Sequence, residues 1–466
     1  MFHKLSAIEL NNKYANKEIS PVEVARYLID RIEKTHQDLN AFCFFEPKDV
    51  INYAIDSEKR WMLGEPASLL DGVPISIKDL LYLKGWPTLH GSASVKSNQS
   101  WNFDSPSVAR LREKGLVFLG KTSTPEFGHK GVTENLLSGT TNNPWNKNMT
   151  PGGSSGGAAS ALAAGLGPLA LGTDGGGSCR KPANYCGVIG MKPSQGKVPS
   201  WPPSHLWPLS SAGPLARTVE DLSLLLDVIS GNDFRDPSKF LFRSNSFDDL
   251  ESGIKDLKIG FSLSLGNSFP RKEVAEIIKN AVSIFVSGGA YIYQDEPPDF
   301  DGSMSIYRTI LDSGMALTSS SMTEKQKVKC DPTFLLSAER GMRISALELR
   351  QAFDKRKLLI RDLSLFFKNY DLFILPTNPT TTYSHGTREP IAEDGDQWNT
   401  TVCFTAPFNI TGNPAITIPC GKTKNGLPVG LQIVGPFGYD SLVLRAAHYL
   451  ERFTNLKGQL ANDYID

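Results

Sequence analysis

The 466-residue sequence has no excess of charge of either sign: Lys and Arg together number 49, as do Asp and Glu. A zero formal net charge withholds the basic surface that nucleic acids and anionic membranes select, so neither is expected as a direct partner. No apolar run approaches membrane-spanning length, and the opening MFHKLSAIEL has no charged-then-apolar leader pattern. Cysteine is sparse. The six, at positions 43, 179, 186, 330, 403 and 420, have neither metal-ligand nor disulfide-framework spacing. Free thiols, no metal and a reducing, cytoplasmic setting are the expectation. The acceptor-like triplet Asn399-Thr400-Thr401 is accordingly read as without consequence.

Two familiar catalytic signatures are also missing. There is no GxSxG elbow, and none of the seven histidines (3, 36, 90, 129, 205, 385, 448) stands in such a setting with a downstream acid. Gly115 to Thr122 formally matches the phosphate-binding pattern GxxxxGK[ST]. Its interior, Leu-Val-Phe-Leu, is apolar and strand-like, and a helical pattern precedes the motif where a phosphate loop needs one after it. It reads as a strand carrying a lysine, and no nucleotide or other cofactor is expected.

What is present is ordinary soluble-protein material, 40% hydrophobic and 21% charged. Ser20-Pro21-Val22-Glu23 combines an N-cap, a first-turn proline and a capping-box glutamate, with Val24, Leu28 and Ile32 on one face of the helix that follows. Ser105-Pro106 and Thr218 predict two more helix starts. Leu116–Leu119, Leu257–Ser262, Leu372–Pro376, Ala415–Pro419 and Val429–Gly435 read as strands, and 271–286, 343–368 and 441–453 as helices. Such alternation along the whole length predicts an α/β fold: one large domain spanning 1–466, a mixed β-sheet core with α-helices on both faces. The least regular pattern, about 262–345, is where a smaller inserted region is expected.

The chemistry gathers in Pro151–Ala183, PGGSSGGAASALAAGLGPLALGTDGGGSCRKPA. It reads as loop, helix, strand, loop, with glycines dense enough to let backbone approach a ligand and to free N–H groups for a developing oxyanion. A serine hydroxyl needs a base. In Asp71-Gly72-Val73-Pro74-Ile75-Ser76-Ile77-Lys78-Asp79 the apolar residues alternate, which puts Ser76 and Lys78 together on the other face of a short strand. Burial would strip Lys78 of its proton and make it such a base. Lysine is seldom buried unpaired, so taken alone Lys78 reads as a surface residue.

GVPISIKD (72–79), PGGSSGGAASALAAG (151–165) and LGTDGGGSCRKPA (171–183) together closely resemble the amidase signature family. GKTSTPEFG (120–128), TNNPW (141–145), GPLART with Glu220-Asp221, Leu372–Pro376 and LPVGLQIVGP (427–436) resemble further family segments, in the same order. The resemblance implies an amidase fold and a serine acyl-enzyme route from a carboxylic acid amide to the acid and ammonia or an amine. By position it implies Ser178 as nucleophile, Ser154 as the bridging serine on a cis peptide, and Lys78 as base. The interval between Ser154 and Ser178 matches the family's and selects Ser154 over Ser155 for the bridge. It further implies an oxyanion hole from the N–H groups of Gly175, Gly176, Gly177 and Ser178, with Ser155 orienting Lys78 and an Asp174–Arg180 pair fixing the loop. Gly175 stands where the family commonly has a larger residue, so a looser loop is expected. Cys179, beside the nucleophile, has no base placed for it by the sequence.

A small-molecule amide is the implied substrate, and a homodimer is left open. The Trp201–Pro208 stretch, aromatic and proline-rich, reads either as packed core or as the wall of an apolar pocket, and the latter points to a small apolar or aromatic amide. A second function within the same family is the glutamine amidase subunit of a tRNA-dependent amidotransferase complex.

Overall fold

The computed structural model describes residues 1–464 except 237, 239–246, 248, 267, 298–299 and 388–401. Asn399-Thr400-Thr401 lies outside the described residues. Thirteen described strands are β1 (Phe42–Phe44), β2 (Pro74–Lys78), β3 (Val117–Thr122), β4 (Glu134–Asn135), β5 (Gly139–Thr140), β6 (Leu169–Asp174), β7 (Ile189–Lys192), β8 (Ser211–Ala216), β9 (Lys258–Phe261), β10 (Tyr291–Gln294), β11 (Leu372–Pro376), β12 (Ala415–Lys422) and β13 (Pro428–Val434). Eleven form one sheet in the order β1-β3-β2-β6-β8-β7-β12-β13-β11-β9-β10, while β4 and β5 pair separately. β3, β2 and β6 run parallel, the centre from β6 to β11 is antiparallel, and β11, β9 and β10 are parallel again. The sheet is mixed, as the sequence predicts.

Strand alternation puts the two faces of this sheet into different cores. Leu372 and Ile374 of β11 pack into the largest cluster, together with Ile75 and Ile77 of β2. Helices Pro106–Glu113, Val219–Ile229, Lys272–Ser287 and Asp440–Phe453 cover that face. Phe373 and Leu375 point the opposite way, toward helices Ala346–Phe366 and Ala406–Thr411. Under the centre of this second face lies helix Gly156–Ala163, all eight residues buried. Alanine and glycine permit such depth: a Cβ on Gly157 would stand 2.5 Å from the backbone of Ala41 and of Ser123.

The capping signals divide. Ser20 forms the predicted capping box with Glu23 at the head of Pro21–Leu39, and the Thr218 side chain accepts from Asp221 N–H. Ser105 precedes helix Pro106–Glu113 without capping it. Its hydroxyl accepts instead from Tyr82 N–H at 3.0 Å, tying the loop after β2 to this helix. The formal phosphate motif is strand β3, and its Lys121 is buried, 3.6 Å from Asp79. Within 262–345 the described residues include helices Lys272–Ser287, Ser303–Ser320 and Pro332–Met342. The latter two share an apolar cluster with Phe127 and Leu206. Among the described residues no helix is long and apolar enough to cross a membrane.

Candidate active site

β2 and β6 are parallel neighbours, so their carboxyl ends, Lys78 and Asp174, come out at the same edge of the sheet. Open α/β sheets bind ligands at such an edge. The chain leaving β6 makes the glycine loop 175–177, passes Ser178 and enters the short helix Arg180–Cys186. The loop before helix Gly156–Ala163 supplies Ser154 and Ser155. The Gly153–Ser154 peptide is cis, the feature the family resemblance implies. Ser155 N–H donates to the Ser178 carbonyl at 3.1 Å, so the two serine loops are joined backbone to backbone.

Lys78 is fully buried. Its Nζ lies 2.7 Å from Ser154 Oγ, 2.9 Å from Ser155 Oγ and 2.9 Å from Thr173 Oγ1. Burial lowers its pKa to about 7, against a partial restoring pull from the Asp174 carboxylate. Thr173 is a residue that sequence reasoning passed over. Ser155 donates to the Thr173 carbonyl at 3.1 Å, so both residues hold the lysine head.

Other lysines are equally buried and differently engaged. Lys121 donates to the Leu81 carbonyl at 2.7 Å and to Thr88 Oγ1 at 2.6 Å, and Lys192 donates to the Pro193 carbonyl at 2.7 Å. Lys78 is the one whose amine meets the Ser154–Ser155 hydroxyl pair at the sheet edge.

Beneath the glycine loop, Arg180 grips Asp174 through Nη2 to Oδ1 at 2.9 Å and Nε to Oδ2 at 3.0 Å, both side chains fully buried. The guanidinium also reaches Gln432 Oε1 at 2.7 Å and Asn409 Oδ1 at 2.6 Å. Burial alone would raise the Asp174 pKa, but the Arg180 charge and the Arg180 and Asn409 hydrogen bonds hold it well below the usual carboxylate range. Asp174 also accepts from Gly177 N–H at 2.7 Å and from Cys179 N–H at 3.1 Å.

That contact alters the expected oxyanion hole. The Gly177 N–H is already committed to Asp174, whereas no partner among the described residues accepts from the N–H of Gly175, Gly176 or Ser178. Gly177 is required for shape: its φ is +117°, and a Cβ there would collide with the Thr405 side chain. At Gly175 the loop packs against Leu206. A Cβ at that position would stand 2.7 Å from Leu206 Cδ1, so Leu206 fills the space a larger residue would take. The Cys179 thiol is fully buried and pushed well above its usual pKa by that burial, which leaves it a packed, protonated side chain.

Ser154 and Ser178 open onto one cavity of about 150 Å³, with Thr173 and Gly175 at its base. Trp201 to Leu206 form part of its wall, which makes the aromatic and proline-rich stretch the pocket wall the sequence suggested. His90, Tyr82 and Phe127 line it as well, and these the sequence did not reveal. A larger cavity of about 340 Å³ holds none of Lys78, Ser154 or Ser178. It is lined by His129, whose ring nitrogens are occupied by the Glu126 carbonyl and Thr333 Oγ1, both at 2.7 Å.

The amidase family model matches residues 23–444. The chain belongs to the amidase signature family. It is 35% identical over 455 residues to an acylamidase of Rhodococcus erythropolis, covering 96% of this chain and 95% of that one. It is 32% identical to a glutamyl-tRNA(Gln) amidotransferase subunit of Halothermothrix orenii, with 98% of each covered. Among solved structures it superposes on a bacterial aryl acylamidase of the amidase signature family with a TM-score of 0.91 at 28% identity, covering 97% and 96% of the two chains. With 6-aminohexanoate cyclic dimer hydrolase the TM-score is 0.90 at 26% identity, over 99% of each. Like its family, this chain is an amidohydrolase acting on amide C–N bonds.

Proposed function

We propose that the chain hydrolyses a carboxylic acid amide through an acyl-enzyme on Ser178, with Ser154 and Lys78 relaying the proton. The observation that carries this reading is the buried Lys78 amine, 2.7 Å from Ser154 Oγ beneath the cavity that Ser178 and Ser154 share. A neutral amine has two N–H groups and one lone pair. Ser155 gives its own hydrogen to the Thr173 carbonyl, so Ser155 Oγ receives one Lys78 N–H. Thr173 Oγ1 receives the other. The lone pair is then left for the Ser154 hydroxyl, which in turn draws the proton of Ser178.

Ser178 Oγ forms a bond to the amide carbon, and the resulting oxyanion is held by the N–H groups of Gly175, Gly176 and Ser178. Removing one such donor typically costs about 2.7–4 kcal/mol in the transition state. The C–N bond breaks as the relayed proton returns to nitrogen. Water adds to the ester, and the acid leaves. With a slowly deacylated amide, rapid acid quenching and intact-mass measurement are expected to show an adduct with the mass of the acyl group. Ser178→Ala is expected to abolish the adduct, and an adduct persisting in that variant would refute the assignment.

A second reading, the glutamine amidase subunit of a tRNA-dependent complex, is favoured by the 32% identity to the Halothermothrix orenii amidotransferase chain. It calls for glutamine as substrate and for partner chains.

A further inference from the structure

The cavity in front of Ser178 carries no fixed charge. Among the described residues lining it there is no Asp, Glu, Lys or Arg. Its imidazoles are neutral: burial lowers His90 to about 3, reinforced by the charge of Lys121 and by His205. Burial lowers His205 to about 4, reinforced by His129 and Lys78. Of the charges behind the wall, Arg180 is committed to Asp174 and Lys121 to Asp79, and Lys78 is uncharged in the form that acts as base. What the wall offers a ligand is apolar surface from Leu80, Leu81, Phe127, Trp201 and Leu206, together with uncharged polar groups: hydroxyls of its serines, Thr173 and Tyr82, and the imidazoles of His90 and His205.

Size sets the second limit. A cavity of about 150 Å³ has room for one benzene ring, and this one, lined by both apolar and uncharged polar groups, measures about 150 Å³. The two halves of an amide also differ in fate. The acyl half stays bonded to Ser178 until water arrives, while the amine must depart, so a pocket beside Ser178 suits the half that is retained.

Resting on the acyl-enzyme reading above, we infer that this cavity is the acyl subsite and takes an uncharged acyl group of about one six-membered ring. Acyl groups bearing a carboxylate or an ammonium are rejected, glutamine among them, because either charge would be desolvated there with no countercharge. This weighs against the glutaminase reading at the level of the pocket itself.

The test is a kcat/KM comparison on the full chain with benzamide, 4-carboxybenzamide, acetamide and L-glutamine, each also run with Ser178→Ala. Benzamide is expected to exceed 4-carboxybenzamide and glutamine by roughly 100-fold or more, and acetamide by roughly tenfold. Trp201→Arg, which sets a guanidinium into a wall position 39% exposed, is expected to narrow the benzamide to 4-carboxybenzamide ratio by roughly tenfold. Turnover of glutamine or 4-carboxybenzamide on a par with benzamide, abolished by Ser178→Ala, would overturn the subsite and leave the acyl-enzyme standing. An unchanged ratio in Trp201→Arg would also count against the subsite. Benzamide turnover that survives Ser178→Ala would overturn the acyl-enzyme reading itself.

Discussion

Replacing Lys78 by alanine is expected to lower kcat/KM by about 10³–10⁴-fold at pH 8, the upper part of the range for loss of a positioned general base. The side chain acts through one atom. Its Nζ sits among three hydroxyls and is close to half-deprotonated at neutral pH, because burial has removed the water that would stabilise the ammonium. Alanine leaves Ser154 with nothing to receive its proton. Arginine should not rescue, since a guanidinium keeps its charge at any working pH and has no lone pair to offer. His129→Ala serves as the contrast and should retain most activity, because both ring nitrogens are spent on Glu126 and Thr333 in a separate cavity. Initial rates of ammonia release on the purified variants check all three. Near wild-type turnover in Lys78→Ala, with loss in His129→Ala, would reverse the assignment.

Arg180→Met should show the largest effect on stability, about 3–5 kcal/mol, the range for removing one partner of a buried ion pair. Asp174 would stay fully buried with its countercharge gone, keeping only the amide of Asn409 and backbone N–H groups. Its pKa should climb, since burial already pushes upward and Arg180 is the chief force opposing it. The double variant Asp174→Asn, Arg180→Met should recover part of the loss, because no lone charge remains in the core. Activity should fall in both, as the Asp174 carboxylate holds the N–H groups of Gly177 and Cys179 on either side of Ser178. Denaturant midpoints for the wild type and these variants measure this. A loss under about 1 kcal/mol in Arg180→Met would place the pair among weak surface-like bridges.

Much of this was legible in the residues. The loop, helix, strand and loop read from Pro151–Ala183 appear as the serine loop, Gly156–Ala163, β6 and the glycine loop. Composition made them readable: alanine favours a helix small enough to bury whole, and Leu169 to Leu171 favour a strand covered on both faces. β8 was hidden for the opposite reason. It contains Gly213 and Pro214, which weaken any strand signal, yet it lies between β6 and β7 in the centre of the sheet. Alternation placed Ser76 and Lys78 on one face, but it could not distinguish Lys78 from Lys121 or Lys192, since all three are buried in strands. Their partners separate them, and partners are tertiary facts. The same limit applies to Tyr82 and His90, which reach the cavity from loops, to Phe127, which reaches it from the short 3-10 helix Glu126–Gly128, and to Ser105, whose hydroxyl serves Tyr82 instead of its own helix. The Gly177 N–H shows the converse. The motif implied four donors, and only the fold reveals that one of them is engaged by Asp174.

The pH dependence of kcat/KM for a neutral amide tests the charge state of Lys78 most directly, because the substrate adds no titration of its own. Below its pKa Lys78 holds a third hydrogen and cannot accept another, so activity should fall on the acid side and rise to a plateau as the amine is freed. A single-proton limb with half-maximal activity near pH 7 is the expected result. A profile flat from about pH 5 to about pH 9, or a limb displaced to the ordinary lysine pKa of about 10.4, would contradict it.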